Sequence, residues 1–253
     1  MNPSPELRCA LEAAEAAARV IRELYARKVA VRLKEDASPV TVADERAEAA
    51  IRAVIARHFP AHAFYGEETG RSGSSDSLWL VDPIDGTKAF VREYPMFSTQ
   101  IALMRAGRLV LGVSSAPLYG ELAFAEQGAG AWLNERRVRV SGTTGFGTAA
   151  LSTGNLKTLA AGPGWARLGA LIPQLGRIRG YGDFLHYHLL AAGKIDAVLE
   201  SDVNILDIAA LVTIVTEAGG RFTTLAGAPV GLDTTTVLAS NGPLHAPLLA
   251  ALG

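Results

Sequence analysis

Residues 79–90 read Trp-Leu-Val-Asp-Pro-Ile-Asp-Gly-Thr-Lys-Ala-Phe, and this stretch carries the strongest structural signal in the chain. An apolar, strand-like run leads into a Pro/Gly turn, and Asp82 and Asp85 lie three positions apart there, so both carboxylates can converge on one cation. Mg²⁺ prefers oxygen ligands, and a phosphate ester supplies further ones. The amides of Gly86 and Thr87 open a helix-like segment and would form an anion site beside the metal. The stretch therefore predicts a site for metal and phosphate.

Composition limits the classes of protein to which the chain can belong. Its 253 residues suit one large domain or two closely packed ones, and 49% hydrophobic with 19% charged residues is a globular balance. A formal net charge of -1 provides no basic surface for nucleic acid and no polybasic patch for membranes. Cys9 is the single cysteine and cannot form an intrachain disulfide, so we expect a cytoplasmic protein.

The alanine-rich N-terminus predicts an amphipathic helix over about residues 4–29, with Ser4 as N-cap and Pro5 in its first turn. Charged residues interrupt the alanine-rich run. We therefore expect neither a signal sequence nor one of the roughly 20-residue apolar runs that span a membrane.

Helix and strand patterns alternate along the rest of the chain. A second helix is predicted from 42 or 43 to 58, and later helices near 163–174, 183–193 and 206–218 and after 241–243. Strands are predicted at 61–65, 78–82, 97–104, 109–117, 121–125, 131–132, 137–140, 149–153, 177–179, 195–199 and 221–223. The pattern predicts a layered α/β sandwich in which helix and sheet layers alternate. A Ser/Gly/Thr-rich connection at 141–148 suggests subdomains 1–142 and 143–253, with the active site between them.

Three further carboxylates are candidates to join the acidic turn. Glu67 follows a predicted strand, Asp207 opens a predicted helix, and Asp44 lies near the start of the second helix. Each has an ordinary structural explanation when it is considered alone, as an N-cap, a partner of the helix dipole or a solvated loop residue. Their occurrence together favours a shared site.

The chain resembles the inositol monophosphatase superfamily, which consists of Mg²⁺-dependent, lithium-sensitive phosphomonoesterases and includes histidinol-phosphatase-like enzymes. The resemblance runs nearly from end to end. It rests on VTVADERAE (40–48), GEE (66–68), WLVDPIDGTKAF (79–90), YGDF (181–184), LDIAALVTIVTEAGG (206–220) and ASNG (239–242).

The resemblance implies a set of metal ligands. Glu67, Asp82 and the backbone carbonyl of Ile84 would hold a first Mg²⁺. Asp82 would bridge to a second Mg²⁺, which Asp85 and Asp207 would also hold, and a third, weaker one would lie near Glu67. Metal-assisted hydrolysis of a phosphate ester is the chemistry expected of such a site.

The resemblance also implies roles in catalysis. Asp44 would accept a hydrogen bond from Thr87 and orient it, and the amides of Gly86 and Thr87 would bind phosphate oxygens. Glu67 and Thr87 would position and deprotonate the attacking water, so that no covalent phosphoenzyme is needed.

Substrate choice is less sharply indicated. Glu200 matches a family position that contacts a sugar-like hydroxyl, although its carboxylate could equally bind an ammonium group. Asp183 is expected to face the pocket, and Lys88 resembles histidinol-phosphatase-like or adenosine-bisphosphate-type members, with a solvated helix residue as the alternative. Histidinol phosphate and inositol 1-phosphate are the leading candidates, with a slight preference for the first. Adenosine 3′,5′-bisphosphate and fructose bisphosphate are alternatives.

Leu206 stands where the family commonly has Trp, and we expect this exchange to alter the surface of the pocket, with Asp202 and Asn204 lining it instead.

The resemblance further implies a homodimer. A non-catalytic metal-binding regulator is the alternative from another class of function, and the hydroxyl of Thr87 argues against it.

Other features fit structural roles. His186 and His188 lie two apart on a predicted helix and face different directions, which disfavours a zinc pair. Surface positions are expected for the isolated histidines and a small basic cluster: His58, His62, His245, Arg136, Arg137 and Arg139.

Overall fold

Eight helices and fifteen strands make up the part of the chain that our computed structural model describes, residues 3–27, 31–33 and 39–253. The helices are α1 (Pro5–Tyr25), α2 (Val42–His58), α3 (Thr87–Val91), α4 (Leu156–Ala161), α5 (Trp165–Leu171), α6 (Asp183–Ala191), α7 (Ile205–Glu217) and α8 (His245–Leu252). The strands are β1 (Val31–Leu33), β2 (Pro39–Thr41), β3 (Ala63–Gly66), β4 (Gly70–Ser72), β5 (Ser77–Asp85), β6 (Ser98–Arg105), β7 (Arg108–Ala116), β8 (Glu121–Glu126), β9 (Gly130–Leu133), β10 (Arg136–Val138), β11 (Ala150–Thr153), β12 (Arg177–Arg179), β13 (Ala197–Ser201), β14 (Arg221–Thr223) and β15 (Thr236–Ser240).

Two large sheets organise these strands. The first has eight strands in the order β10-β9-β8-β7-β6-β5-β3-β4, and all its neighbours are antiparallel except β3 and β5. The second has five strands in the order β12-β11-β13-β15-β14, with β11 parallel to both β12 and β13. The parallel pair β3–β5 matters for function, because parallel strands end at the same edge of a sheet.

Helices α1 and α2 cover one face of the eight-stranded sheet. Ser4 caps α1 as predicted, its side chain accepting a hydrogen bond of 3.0 Å from the backbone N–H of Leu7. Small side chains such as Ala10, Ala13 and Ala17 are buried along α1 and let it pack closely on the sheet and on α2. Within the described residues, no helix combines the length and the apolar character that crossing a lipid bilayer requires.

Helix α7 lies between the two sheets and joins their cores. Its buried residue Ala210 belongs to the same core cluster as Leu80 of the first sheet and Val237 of the second. A Cβ on Gly112 of β7 would lie 2.3 Å from the carbonyl oxygen of Ala210, so a glycine is needed for this close approach. Because one core runs through both halves, the division at residue 142 stays a prediction.

A second set of helices covers the outer face of the five-stranded sheet, where residues of α4, α5 and α8, including Leu159, Leu168 and Leu248, pack on Leu199 and Leu238. The layers are therefore helix, sheet, helix, sheet and helix. This arrangement confirms the predicted layered α/β fold.

Several predicted elements differ from the observed ones. Helix α1 ends at Tyr25, and the last two residues of its predicted range lie outside the described part of the chain. The predicted helix 163–174 is shorter because it begins after a Gly-Pro-Gly segment and ends in a 3₁₀ turn at 172–174. Five elements were not predicted: β1, β2, β4, α4 and β15.

The prediction of a surface position for His245 is wrong. The ring is fully buried and lies within hydrogen-bonding distance of the hydroxyls of Ser240 and Thr223, 3.0 Å from each. Burial lowers the pKa of His245 to about 4, so the ring is neutral at pH 7.

Candidate active site

A bulge in β5 brings Asp82 and Asp85 to the same side of the sheet. In a regular strand, residues three apart point to opposite faces. Relative to β6, β5 carries one extra residue between Asp82 and Asp85, which changes this alternation. The turn is held by the backbone N–H of Ile84, which donates to Oδ1 of Asp82 at 2.9 Å. The bulge, within the Pro/Gly turn that the sequence indicated, thus brings the two carboxylates together.

Glu67 reaches the same site through the parallel pairing of β3 with β5. Gly66 pairs with Val81, and the backbone N–H of Glu67 donates to the carbonyl of Val81 at 3.1 Å. This bond extends the ladder by one residue and places Glu67 beside Asp82.

The turn that carries Glu67 is fixed from behind by Glu48, a residue of α2 that is only 1% exposed. Its carboxylate accepts hydrogen bonds from the N–H groups of Glu68 and Thr69, at 2.7 and 2.9 Å, and from the Thr69 hydroxyl at 2.6 Å. A Cβ on Gly66 would lie 2.5 Å from this carboxylate, which explains the glycine. We did not predict this role, although Glu48 lies four residues after Asp44 and therefore on the same helix face.

Asp207 completes the acidic cluster from the start of α7. It is the third residue of the helix and accepts from the N–H and the side-chain amide of Asn204, at 2.8 and 2.7 Å, as part of a capping box. One carboxylate oxygen from each of Asp82, Asp85 and Asp207 lies within 4.8 Å of the other two. Asp207 is therefore both a helix-capping residue and a member of the acidic cluster.

A second capping box places Asp44 behind Thr87. Asp44 is fully buried and accepts from the N–H of Thr41 at 2.8 Å and from its hydroxyl at 2.7 Å. The hydroxyl of Thr87 lies 3.1 Å from Oδ1 of Asp44 and 3.0 Å from the carbonyl oxygen of Ile84. The predicted hydrogen bond between Thr87 and Asp44 is thus present. Burial raises the pKa of Asp44, and the donors on Thr41 and Thr87 oppose that rise.

The clustered acids raise one another's pKa. Burial, followed by the charges of Glu67 and Asp85, raises the pKa of Asp82 well above its ordinary value. Burial and the charge of Asp207 do the same for Asp85. The pKa of Asp207 is raised to about 7, chiefly by burial and against the donors of Asn204. Several carboxylates in so small a volume repel one another unless a cation or protons neutralise them.

The donor set fits a hard divalent cation. The atoms at hand are carboxylate oxygens and the Ile84 carbonyl, with the Thr87 hydroxyl beside them, and neither histidine nor cysteine belongs to the cluster of Asp82, Asp85 and Asp207. Oxygen-only ligation is typical of Mg²⁺, whereas zinc sites draw on histidine and cysteine. Gly86, with a left-handed φ of 94°, caps the short helix α3, so the first amides of α3 begin next to this cluster.

A small cleft adjoins the acidic cluster. Its lining combines residues from both halves of the chain: Asp85, Asn155, Asp183, Tyr187, Glu200, Val203, Asp207, Ile208 and Leu211. Among the predicted substrate residues, Asp183 and Glu200 therefore lie in the wall of the cleft. Asn155 and Tyr187 were not predicted, and Asn155 had only the weak signal of a polar residue shortly after a strand.

Asp183 and Lys88 lie near each other at the cleft. Asp183 opens α6 with a left-handed φ of 45°, an uncommon conformation for a residue other than glycine. Desolvation of its carboxyl group, followed by the charge of Glu200, raises the pKa of Asp183 to about 6, while the ammonium of Lys88 lowers it. Lys88 itself is exposed and is not among the residues that line the cleft.

The expectation for Leu206 is wrong. Its side chain is buried in the core between the sheets and does not face the cleft. The cleft wall next to it is formed by Val203 rather than by Asp202 or Asn204. Adjacent residues point to different sides of an α-helix, so Leu206 packs into the core while Asp207 faces the acids.

Comparisons with known proteins find relatives along nearly the whole chain. A profile of the inositol monophosphatase family matches residues 2–252. The chain belongs to the inositol monophosphatase family. It is 39% identical over 231 residues to a histidinol-phosphatase of Mycobacterium tuberculosis, covering 87% of this chain and 86% of the relative. It is 34% identical over 232 residues to an inositol-1-monophosphatase of Mesorhizobium japonicum, covering 88% and 85%.

Solved structures of the family have the same fold. The extragenic suppressor protein suhB from Bartonella henselae superposes with a TM-score of 0.91 at 32% identity, over 98% of each chain. The predicted resemblance, the fold class and the assignment as a phosphatase of this family are confirmed. In such a phosphatase, the acidic cluster is the group of residues that could hold a metal.

Proposed function

We propose that this inositol monophosphatase family member is a Mg²⁺-dependent phosphomonoesterase that hydrolyses a small amino-alcohol or polyol monophosphate. The observation that carries the proposal is the convergence of Asp82, Asp85 and Asp207, whose oxygens lie within 4.8 Å of one another next to a cleft. Mg²⁺ at such a cluster supplies Lewis-acid activation of water and of the phosphate ester.

The chain's own residues would divide the binding of two to three cations among them. Glu67, Asp82 and the Ile84 carbonyl form one group of oxygen ligands, and Asp82, Asp85 and Asp207 form another. Burial of Asp82 and Asp85 disfavours their charged forms, so binding of Mg²⁺ would be coupled to the release of protons.

Thr87 and Asp44 would act on the attacking water. Asp44 is held by Thr41 and in turn accepts from Thr87, so the Thr87 oxygen has a fixed position. Together with Glu67, this hydroxyl would orient the attacking water and accept a hydrogen bond from it. The amides of Gly86 and Thr87 would bind phosphate oxygens at the start of α3.

Histidinol phosphate is the substrate that we favour, with inositol 1-phosphate second. Two carboxylates, Asp183 and Glu200, face the cleft, and an acidic wall attracts a cationic leaving group more strongly than a neutral polyol. A relative at 39% identity is named a histidinol-phosphatase. Adenosine 3′,5′-bisphosphate and fructose bisphosphate fit less well, because among the described residues no lysine or arginine lines the cleft to hold a second phosphate.

Phosphate release by the purified protein, with and without Mg²⁺, tests the reaction and the substrate together. The four compounds above are the panel, and we expect histidinol phosphate to be preferred by about a hundredfold in kcat/KM. Asp85→Asn should abolish turnover and keep the fold, whereas Asp233→Asn, on an exposed loop, should change neither. Absence of Mg²⁺-dependent release from any phosphomonoester would refute the proposal and favour the alternative, a non-catalytic metal-binding regulator.

We also expect a homodimer located in the cytoplasm, sensitive to lithium. Light scattering after size exclusion tests the first expectation, fractionation of cells the second, and inhibition of phosphate release by Li⁺ the third. The single Cys9 is buried, and burial raises its pKa to about 11, which suits an unreactive thiol.

A further inference from the structure

A buried network around Glu200 is not explained by metal or phosphate binding. Glu200 lies on β13, is 5% exposed and has both oxygens in defined surroundings. Its Oε2 lies 3.1 Å from Nε2 of His186 and accepts from the hydroxyl of Tyr187 at 2.7 Å. The rings of His186 and Tyr187 are nearly perpendicular, at 88°, and both side chains contact the same carboxylate oxygen. Burial and the charge of Glu200 raise the pKa of Tyr187, so that its hydroxyl remains a donor.

The other carboxylate oxygen is left for a ligand. Oε1 of Glu200 lies where a side chain at position 154 would begin, because a Cβ on Gly154 would be 2.0 Å from it. Glu200 lines the cleft, and its hydrogen bonds from His186 and Tyr187 both reach Oε2 rather than Oε1. Two donors thus fix Oε2, whereas Oε1 lies against Gly154 in a residue that lines the cleft next to the acidic cluster.

The ring of His186 links Glu200 to a second buried contact. An ionised carboxylate only accepts, so Nε2 of His186 donates to Glu200. Its Nδ1 lies 3.3 Å from the hydroxyl of Ser152, and the Ser152 oxygen also accepts from the backbone N–H of Tyr181 at 3.1 Å. The network therefore runs from Tyr181, two residues before Asp183, through Ser152 and His186 to Glu200.

We propose that His186 is a positioning residue that sets the preference for a cationic leaving group by aiming Glu200 into the cleft. The inference deepens the proposed function and rests on it. Without His186, Glu200 keeps one donor on Oε2 and can turn away from the orientation in which Oε1 meets an ammonium group. Because this contact is made with the bound substrate as well as in the transition state, its loss raises KM more than it lowers kcat.

The test compares kcat/KM for histidinol phosphate with that for 4-nitrophenyl phosphate, whose leaving group has no ammonium. His186→Leu should lower the ratio of the two values by about tenfold or more, mainly through KM of histidinol phosphate. His186→Gln places an amide N–H near the position of Nε2 and should restore the ratio to within about threefold of wild type. His186→Asn is too short to reach Glu200 and replaces the leucine variant if that one does not fold.

His188 provides the matched control. It is equally buried on the same helix, but its ring contacts Glu121 at 2.8 Å and Ser114 at 2.9 Å, away from the cleft. His188→Leu should destabilise the protein without changing the substrate ratio. An unchanged ratio in His186→Leu, a glutamine variant as impaired as the leucine variant, or an equal loss in His188→Leu would overturn the inference.

Binding separates this inference from the proposed function. If the wild type hydrolyses no phosphomonoester, the proposed function fails, and calorimetric binding of L-histidinol in the presence of Mg²⁺ and phosphate then decides the role of His186. Binding that weakens about tenfold in His186→Leu and recovers in His186→Gln supports it. Binding that is absent or independent of His186 overturns it.

Discussion

Thr87→Val removes one hydroxyl and keeps the shape of the side chain, so it isolates what that hydroxyl does. The hydroxyl lies 3.1 Å from Asp44 and 3.0 Å from the carbonyl of Ile84. Both donors of Thr41 reach Oδ2 of Asp44, so the variant leaves the buried Oδ1 without its Thr87 donor, and the loss in folding free energy should be about 1–3 kcal/mol. For a protein of this size, that corresponds to a fall of about 2–12 °C in Tm.

The expected loss of activity is much larger. If the Thr87 oxygen positions the attacking water, its removal should lower kcat by about 10²- to 10³-fold, which is roughly 2.7–4 kcal/mol of activation free energy. KM should change little, because the hydroxyl is aimed at the water and not at the leaving group. Thr87→Ser keeps the oxygen and should retain activity within about tenfold.

Phosphate release at saturating Mg²⁺, together with thermal unfolding of the same samples, provides the measurement. A Thr87→Val protein that unfolds near the wild-type temperature and keeps more than about a third of wild-type kcat would refute a role of this hydroxyl in catalysis. A fall in Tm far beyond the expected range would instead show that the bond to Asp44 is chiefly structural.

Three further outcomes are expected. Glu48→Ala should weaken Mg²⁺ activation by about tenfold, because three hydrogen bonds that hold the Glu67 turn are lost; a titration in which only Tm falls would contradict this. Gly112→Ala should destabilise the protein by about 2–4 kcal/mol in urea unfolding, whereas Gly142→Ala, which has open space, should be nearly neutral; equal midpoints would disprove the close approach. The pKa of Asp207 is about 7 in the folded protein, so between about pH 4 and pH 7 the folded chain holds a proton that the unfolded chain has released. The free energy of unfolding without Mg²⁺ therefore falls as the pH rises through this range. The Tm gained on adding Mg²⁺ should therefore be greater near pH 8 than near pH 5.5, and histidine contributions cancel in that difference; an equal gain at both pH values would count against the cation site.

Local patterns were sufficient to predict much of the fold and the acidic cluster. The 3.6-residue spacing of small apolar residues predicts α1 and α2, and the apolar run before Asp82 predicts a buried strand ending in a turn. Local patterns also made Glu67 and Asp207 candidates, and the family resemblance then assigned these distant residues to one metal site. What local patterns could not show is the bulge in β5, since an extra residue is defined only by its pairing with β6.

Histidine environments show the same limit. The spacing of His186 and His188 correctly indicated different directions, but their partners come from strands up to 74 residues away in sequence. His245 is isolated from other candidate ligands in the sequence and was therefore expected at the surface, yet its ring contacts Thr223 and Ser240 in the interior. Burial of a polar ring depends on whether tertiary packing supplies hydrogen-bond partners, and a single sequence does not contain that information in local form.

The capping box at the start of α7 has a consequence for dynamics. Asp207 both fastens the first turn of this helix, through Asn204, and faces the other acids of the cluster. Occupancy of the cluster and fraying of the helix start are therefore linked equilibria that share one carboxylate. Amide hydrogen exchange in the first turn of α7 should therefore slow when Mg²⁺ is added. Because α7 lies between the two sheets, its first turn would report binding of the cation from within the core of the protein.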